Sequence, residues 1–147
     1  MESELGGCYS IVYISTAIVD FGEAALLQLL KRSRGFNERA GVTGVLMYGG
    51  GRFLQVLEGC PAAVRCLYAR IAADPRHGRL EKLADGLLPQ REFAEWYMSF
   101  APRPTGLNWQ SVPGYLTPPQ LVLASLGAST QPLLSEFLEA SSFLTLV

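Results

Sequence analysis

Four side chains in strand-like stretches carry chemistry that a plain core does not need. In "YSIVYIS" Tyr13 offers a phenol. In "GGGRFLQVLEG" Gln55 sets a primary amide among Phe53, Leu54, Val56 and Leu57. In "REFAEWYMSFA" Trp96 and Met98 offer an indole and a thioether. Side chains alternate along a strand, so Tyr13 travels with Ile11 and Ser15, Gln55 with Phe53 and Leu57, and Met98 with Trp96 and Phe100. If these sets share one face, the polar groups converge in a semi-buried place. An amide both donates and accepts, and a buried one left unpaired costs about 1–3 kcal/mol. Gln55 therefore needs partners at both ends: Tyr13 for one, a polar ligand for the other. The competing reading is ordinary strand packing.

Other polar residues have equally ordinary readings. Asn37 reads as the C-terminal cap of a first helix. Arg70 and Asp74, four apart, read as a solvated ion pair on a second helix, and His77 as a surface loop residue. Cys60 and Cys66 read as small buried residues. Together with Cys8 they make three cysteines at irregular spacing, which argues against a disulfide framework and for a reducing cytoplasm. With a single histidine and no paired-cysteine motif, no metal site is expected.

Placing these groups requires a particular order of elements. "SIVYISTA", Ser10 to Ala17, is rich in β-branched residues and predicts a strand. Asp20 can cap a helix from Phe21 to about Asn37, with Leu26, Leu27, Leu29 and Leu30 on its apolar face. Val42 to Tyr48 predicts a second strand, the glycines at 49–51 a turn, and Arg52 to Gly59 the returning strand. Pro61 opens a helix to about Ala73, where Val64, Leu67, Tyr68 and Ile71 recur at helical spacing. Leu80 to Leu88 is helical by composition but a strand by its place in the order, and Phe93 heads a last strand. The succession β-α-β-β-α-β with one extra strand predicts an α/β (α+β) ferredoxin-like sandwich: a five-stranded mixed sheet with two helices on one face. After Ala101, "PRPTGLNWQSVPG" is a connector, and "TPPQLVLASLG" and "TQPLLSEFLEASSFLTLV" are short apolar helices suited to the other face. The expected division is residues 1–101 as one domain and 102–147 as a helical extension packed on the sheet.

The chain has 147 residues, 49% apolar and 17% charged, with a formal net charge of -1, enough for one domain with one core. There is no basic stripe to attract nucleic acid or an anionic membrane, and no apolar run long enough to span a bilayer. "MESELGG" is short and acidic, unlike a signal peptide. A cytoplasmic location fits these features, and the apolar tail suits a homo-oligomer or, equally, a tail buried within a monomer.

Taken together, "YSIVYIS", "SRGFNERAGVTGVLMYGGGRFLQVLEGCPAAV", "LYARIAADPRHGRL" and "REFAEWYMSF" resemble the BLUF family, sensors of blue light using flavin, from about Tyr9 to Phe100. The short tail is similar to stand-alone members with no attached enzyme. The resemblance implies FAD as cofactor, its ring between the two helices of the sandwich. It makes Tyr13 the redox-active tyrosine and Gln55 the glutamine between that tyrosine and the flavin N5 and O4 edge. Asn37 would bond the ring's carbonyl and N3 edge. Arg70 and Asp74 would lie near the other carbonyl and the ribityl chain, and His77 near the cofactor's side chain or phosphates. Trp96 and Met98 match the pair tied to signalling. The resemblance thus implies a blue-light photoreceptor and not an enzyme. Excitation would drive electron and proton transfer from Tyr13 via Gln55. The rearranged hydrogen bonds would signal through the last strand and the C-terminal helices to a downstream signalling protein. One departure stands out: Phe36 occupies the position before Asn37, where family members often have asparagine or histidine.

Two rival readings share the fold. An acylphosphatase-type enzyme needs a phosphate-cradling loop and a basic residue after the first strand, and "STAIVDFGE" supplies neither. A flavin-free protein-interaction module needs only the sandwich, and Phe36 is the one feature that hints at it.

Overall fold

The computed structural model describes residues 8–18, 23–101, 116 and 118–140. Its elements run β1 (Cys8–Ala17), α1 (Glu23–Ala40), β2 (Thr43–Gly49), β3 (Arg52–Gly59), α2 (Pro61–Ala72), β4 (His77–Leu88), β5 (Trp96–Ala101), α3 (Pro118–Ala124) and α4 (Gln131–Ala140). The five strands form one sheet in the order β4-β1-β3-β2-β5. β1 pairs antiparallel with β3 and β4, β2 antiparallel with β3, and β5 joins β2 in parallel. This is the expected ferredoxin-like sandwich, extended by one parallel edge strand.

Alternation along the strands divides the core into two layers. Tyr9, Ile11, Tyr13, Leu46, Phe53, Leu57 and Trp96 face α1 and α2, where Val64 and Leu67 complete the cluster. On the opposite face, Val12, Val45, Met47, Leu54 and Val56 pack with Phe93 and with Leu121, Leu134 and Phe137 of α3 and α4. Helices thus cover both faces of the sheet. Among the described residues no helix is long and apolar enough to cross a membrane.

Local chemistry accounts for the tight points. Gly50 (φ 61°) and Gly51 (φ 76°) form the β2–β3 turn, a left-handed conformation that glycine adopts without steric cost. Gly44, at φ 148°, is required for another reason: a Cβ there would sit 1.8 Å from the Val56 carbonyl oxygen.

Several boundaries differ from the sequence reading. α1 runs past Asn37 to Ala40 and stops at Gly41, whose φ of 71° breaks the helix. Asn37 is therefore not its cap. α2 ends at Ala72, so Asp74 lies beyond it, and β4 begins at His77, which makes that residue part of the sheet. Phe93 precedes β5 and turns into the α3–α4 core, because Glu58 captures its backbone N–H. Cys66 is exposed and Cys60 half-buried rather than both being core residues. The cap expected at Asp20, the connector at 102–115 and the chain after Ala140 lie outside the described residues.

Candidate functional site

Backbone register fixes a row across the sheet: Tyr13 lies opposite Gln55, Gln55 opposite Leu46, and Leu46 opposite Met98. The Tyr13 hydroxyl donates to Gln55 Oε1, and both residues are buried, at 2% and 5% exposure. Burial pushes the Tyr13 phenol far above its ordinary range, and the neighbouring Tyr68 and Asp74 push it the same way. The Tyr68 ring meets Tyr13 edge-on, with centroids 5.4 Å apart. The phenol is therefore held neutral, oriented and in direct contact with a carboxamide.

Above this pair lies a cavity of about 70 Å³. Tyr13, Gln55, Leu46 and Phe53 form its floor, Leu29 and Ser33 come from α1, Ile71 comes from α2, and Asp74, Arg76 and His77 close one end. Asp74 takes the Arg76 side chain through both its oxygens and accepts the Arg76 backbone N–H. The guanidinium bonds pull the Asp74 carboxyl down to about 2. His77 Nε2 bonds the Ile71 carbonyl at 2.7 Å, and Nδ1 lies 2.8 Å from Ser15 Oγ. A carbonyl only accepts, so Nε2 carries a proton. In the neutral ring Nδ1 then accepts from the serine.

Asn37, Arg70 and Trp96, also expected at the site, are not among the residues that line this cavity. Asn37 is 1% exposed, and neither end of its amide meets a partner among the described residues. Trp96 joins the layer under α1 and α2, and its indole N–H is buried without a partner there. Met98 shares the strand parity of Trp96; its side chain lies outside the described residues. Arg70 does not pair with Asp74. Arg76 outcompetes it because the turn after α2 brings Arg76 onto both carboxylate oxygens, and Arg70 instead lies over the Phe36 ring. Arg76 and Ser15 are site residues that the sequence reading does not single out. The shared parity of Ser15 with Tyr13 is the available signal for one, and the "DPRH" run for the other.

The donor set suits a flat ligand with a polar edge. An unpartnered buried amide has to find a donor and an acceptor; Asn37 offers both, apart from the residues that line the cavity, and the Tyr13–Gln55 pair supplies polar groups on its floor. The apolar walls from Leu29, Leu46, Phe53 and Ile71 suit a ring system. Among the described residues no group of His, Cys, Asp or Glu could hold a metal ion.

The sequence model for sensors of blue-light using FAD matches residues 8–99. The chain is 44% identical over 62 residues, 42% of its length, to the photoactivated adenylate cyclase subunit alpha of Euglena gracilis, but spans only 6% of that protein. The dark-state structure of the BLUF protein BlrB superposes with a TM-score of 0.61 at 27% identity, covering 86% of this chain and 83% of the other. BlrP1 of Klebsiella pneumoniae, solved with FMN and cyclic diGMP, superposes with a TM-score of 0.69 at 25% identity over 90% of this chain and 35% of that one. The likeness to the cyclase carries the sensor module and no cyclase chemistry. One expectation is overturned: the similar cyclase chains are named as distinct alpha and beta subunits, an association of unlike chains, so the homo-oligomer read from the apolar tail is not retained. The buried phenol–amide pair, the fold around it and the family match agree: the chain belongs to the BLUF family, sensors of blue light using FAD.

Proposed function

We propose that this chain is a blue-light photoreceptor that holds FAD between α1 and α2, above the Tyr13–Gln55 pair. The observation that carries the reading is the buried hydrogen bond from the Tyr13 hydroxyl to Gln55 Oε1 on the floor of the cavity. When bound, the flavin supplies light absorption and, once excited, the power to take up one electron. Tyr13 would be the electron source, with its phenolic proton following through Gln55 to the ring; both would return to Tyr13, so that no group is left oxidised and only the amide of Gln55 is changed. Gln55 can turn its amide or shift a proton within it, which exchanges a donor for an acceptor at the same place. Asn37 orients the polar edge of the ring, with Asp74, Arg76 and His77 toward the cofactor's chain. Arg70 acts from the rim rather than from the floor.

The change at Gln55 reaches Trp96 and Met98 on β5, and from there α3 and α4. Residues 1–101 form the sensor in this reading, and residues 102–147 the output extension. The downstream partner is an unlike chain, consistent with the distinct subunits of the similar cyclases. A cytoplasmic location suits the composition.

The test is a light-minus-dark absorption spectrum of the FAD-loaded protein. The parent shifts to the red and reverts in the dark. Tyr13→Phe and Gln55→Leu still bind FAD but show no shift. A normal shift in Tyr13→Phe would remove the donor role.

A further inference from the structure

Phe36 on α1 and Arg70 on α2 meet across the helix pair, with the guanidinium carbon 4.4 Å from the ring centroid. That is within the range of cation–π attraction. Their neighbours line the cavity: Ser33 lies one helical turn before Phe36, and Ile71 directly follows Arg70. The next residue after Phe36 is Asn37, whose buried amide has no partner among the described residues. The contact therefore bridges α1 and α2 next to residues that line the cavity, though Phe36 and Arg70 do not themselves line it.

The cavity's size gives this contact a consequence. About 70 Å³ is far below the roughly 300–1,000 Å³ of sites that enclose drug-sized ligands. A tricyclic ring needs more room between α1 and α2 than this cavity gives. The sheet beneath them is paired on both sides of β1 and β3, with register shifts only in the β1–β4 ladder at Val12/Tyr13 and Ile14/Thr16, so the two helices are the elements freer to move. A side-chain contact that bridges them breaks when they move.

We propose that the Phe36–Arg70 pair is a gate on the cleft, setting how fast a flavin ring enters. The gate rests on the flavin-binding reading of the cleft. Arg70 is exposed, so its charge stays hydrated when the gate opens, and only the ring contact is lost. An asparagine or histidine at position 36 would make a polar contact in this place; Phe36 makes a latch instead.

Uptake of FAD by the flavin-free chain is followed by the quenching of flavin fluorescence. Phe36→Ala and Arg70→Gln should each speed uptake about two- to fivefold, the factor expected for one exposed cation–π contact. Phe36→Tyr should keep the parent's rate, and the double variant should be no faster than either single one. Arg70→Gln alters an exposed side chain, so its result does not depend on repacking. A parallel double-mutant cycle on unfolding of the flavin-free chain should show the same two- to fivefold coupling. A parent-like uptake rate in Arg70→Gln, or single effects that multiply in the double variant, overturns the gate and leaves the photoreceptor reading standing. Coupling in the flavin-free chain with no FAD uptake by the parent sinks the photoreceptor reading instead.

Discussion

At the scale of single residues, two ionisable groups at the site are shifted in opposite directions. Tyr13 is a buried acid whose proton is held more tightly in the fold than in the unfolded chain. The folded state is therefore favoured while the phenol is neutral, and stability falls as pH rises past the ordinary tyrosine value of about 10. An ultraviolet titration of the parent should show no tyrosinate from Tyr13 until the protein unfolds, and should match that of Tyr13→Phe up to that point. Asp74 is the reverse case. Its carboxyl is drawn down to about 2 from 3.8 by Arg76, so the pair's stabilisation is complete above the unfolded value and disappears as pH falls toward the folded one. Asp74→Asn should flatten the stability profile between those two values, measured by denaturant unfolding. The pair is partly exposed, so the effect is modest.

Among the elements, the segment between β4 and β5 has the most demanding task. It crosses from one sheet edge to the other, past the ends of β1, β3 and β2. Glu58, at 0% exposure, holds it: Oε1 accepts the backbone N–H groups of Glu92 and Phe93, each at 2.9 Å. Arg91 adds bonds to the Glu58 and Gly41 carbonyls, and Glu92 accepts from Ser129 in the α3–α4 turn. Burial raises the Glu58 carboxyl above its ordinary value, with Glu92 adding to the rise, while the two N–H groups and Arg91 oppose it. A raised acid favours the fold when protonated, so stability is lost as pH climbs above about 4.5 through the folded value. Glu58→Gln keeps the acceptor and should abolish that slope in pH-dependent thermal unfolding. Glu58→Ala strands the buried Phe93 N–H and the part-buried Glu92 N–H, and should cost about 1–3 kcal/mol for the buried one and less for the other. On the neighbouring strand, Gly44→Ala should fail to give a stable fold, since its Cβ would overlap the backbone of β3; circular dichroism of the purified variant would show it.

In the molecule as a whole, β3 is shared by both layers. Gln55 points into the site, while Leu54 and Val56 meet the C-terminal helices. This changes how the tail can be tested. Deleting α3 and α4 would bare Val12, Val45, Met47, Leu54 and Val56 together, so the truncated chain should aggregate rather than report on signalling. A single core substitution is the cleaner probe. Phe137, 4% exposed and with the Arg52 guanidinium 5.9 Å from its ring centroid, should cost about 3–5 kcal/mol when cut to alanine. On the photoreceptor reading proposed above, the red shift should survive in Phe137→Ala while the signal to the partner falls. Loss of the red shift itself would mean that the two layers are not separable.

Local pattern determined much of this protein. β-branched runs, the triple-glycine turn and helical spacing in α2 are short-range features, and their order specifies the sandwich and the two apolar faces. Tyr13 and Gln55 are legible as partners because strand alternation puts polar groups on one face wherever the sheet pairs in register. Asn37 looks like a cap in the sequence because the stop of α1 depends on Gly41, four residues on. Arg70 and Asp74 look like a pair because helical spacing assumes a helix that in fact ends at Ala72. Only the tertiary structure decided that Arg76 takes Asp74, that Phe93 leaves the last strand to serve Glu58, and that Phe36 and Arg70 meet. The first is decided by the local turn that follows the end of α2; the other two join groups far apart in sequence, settled by where the backbone brings them, and spacing along the chain carries no record of those two.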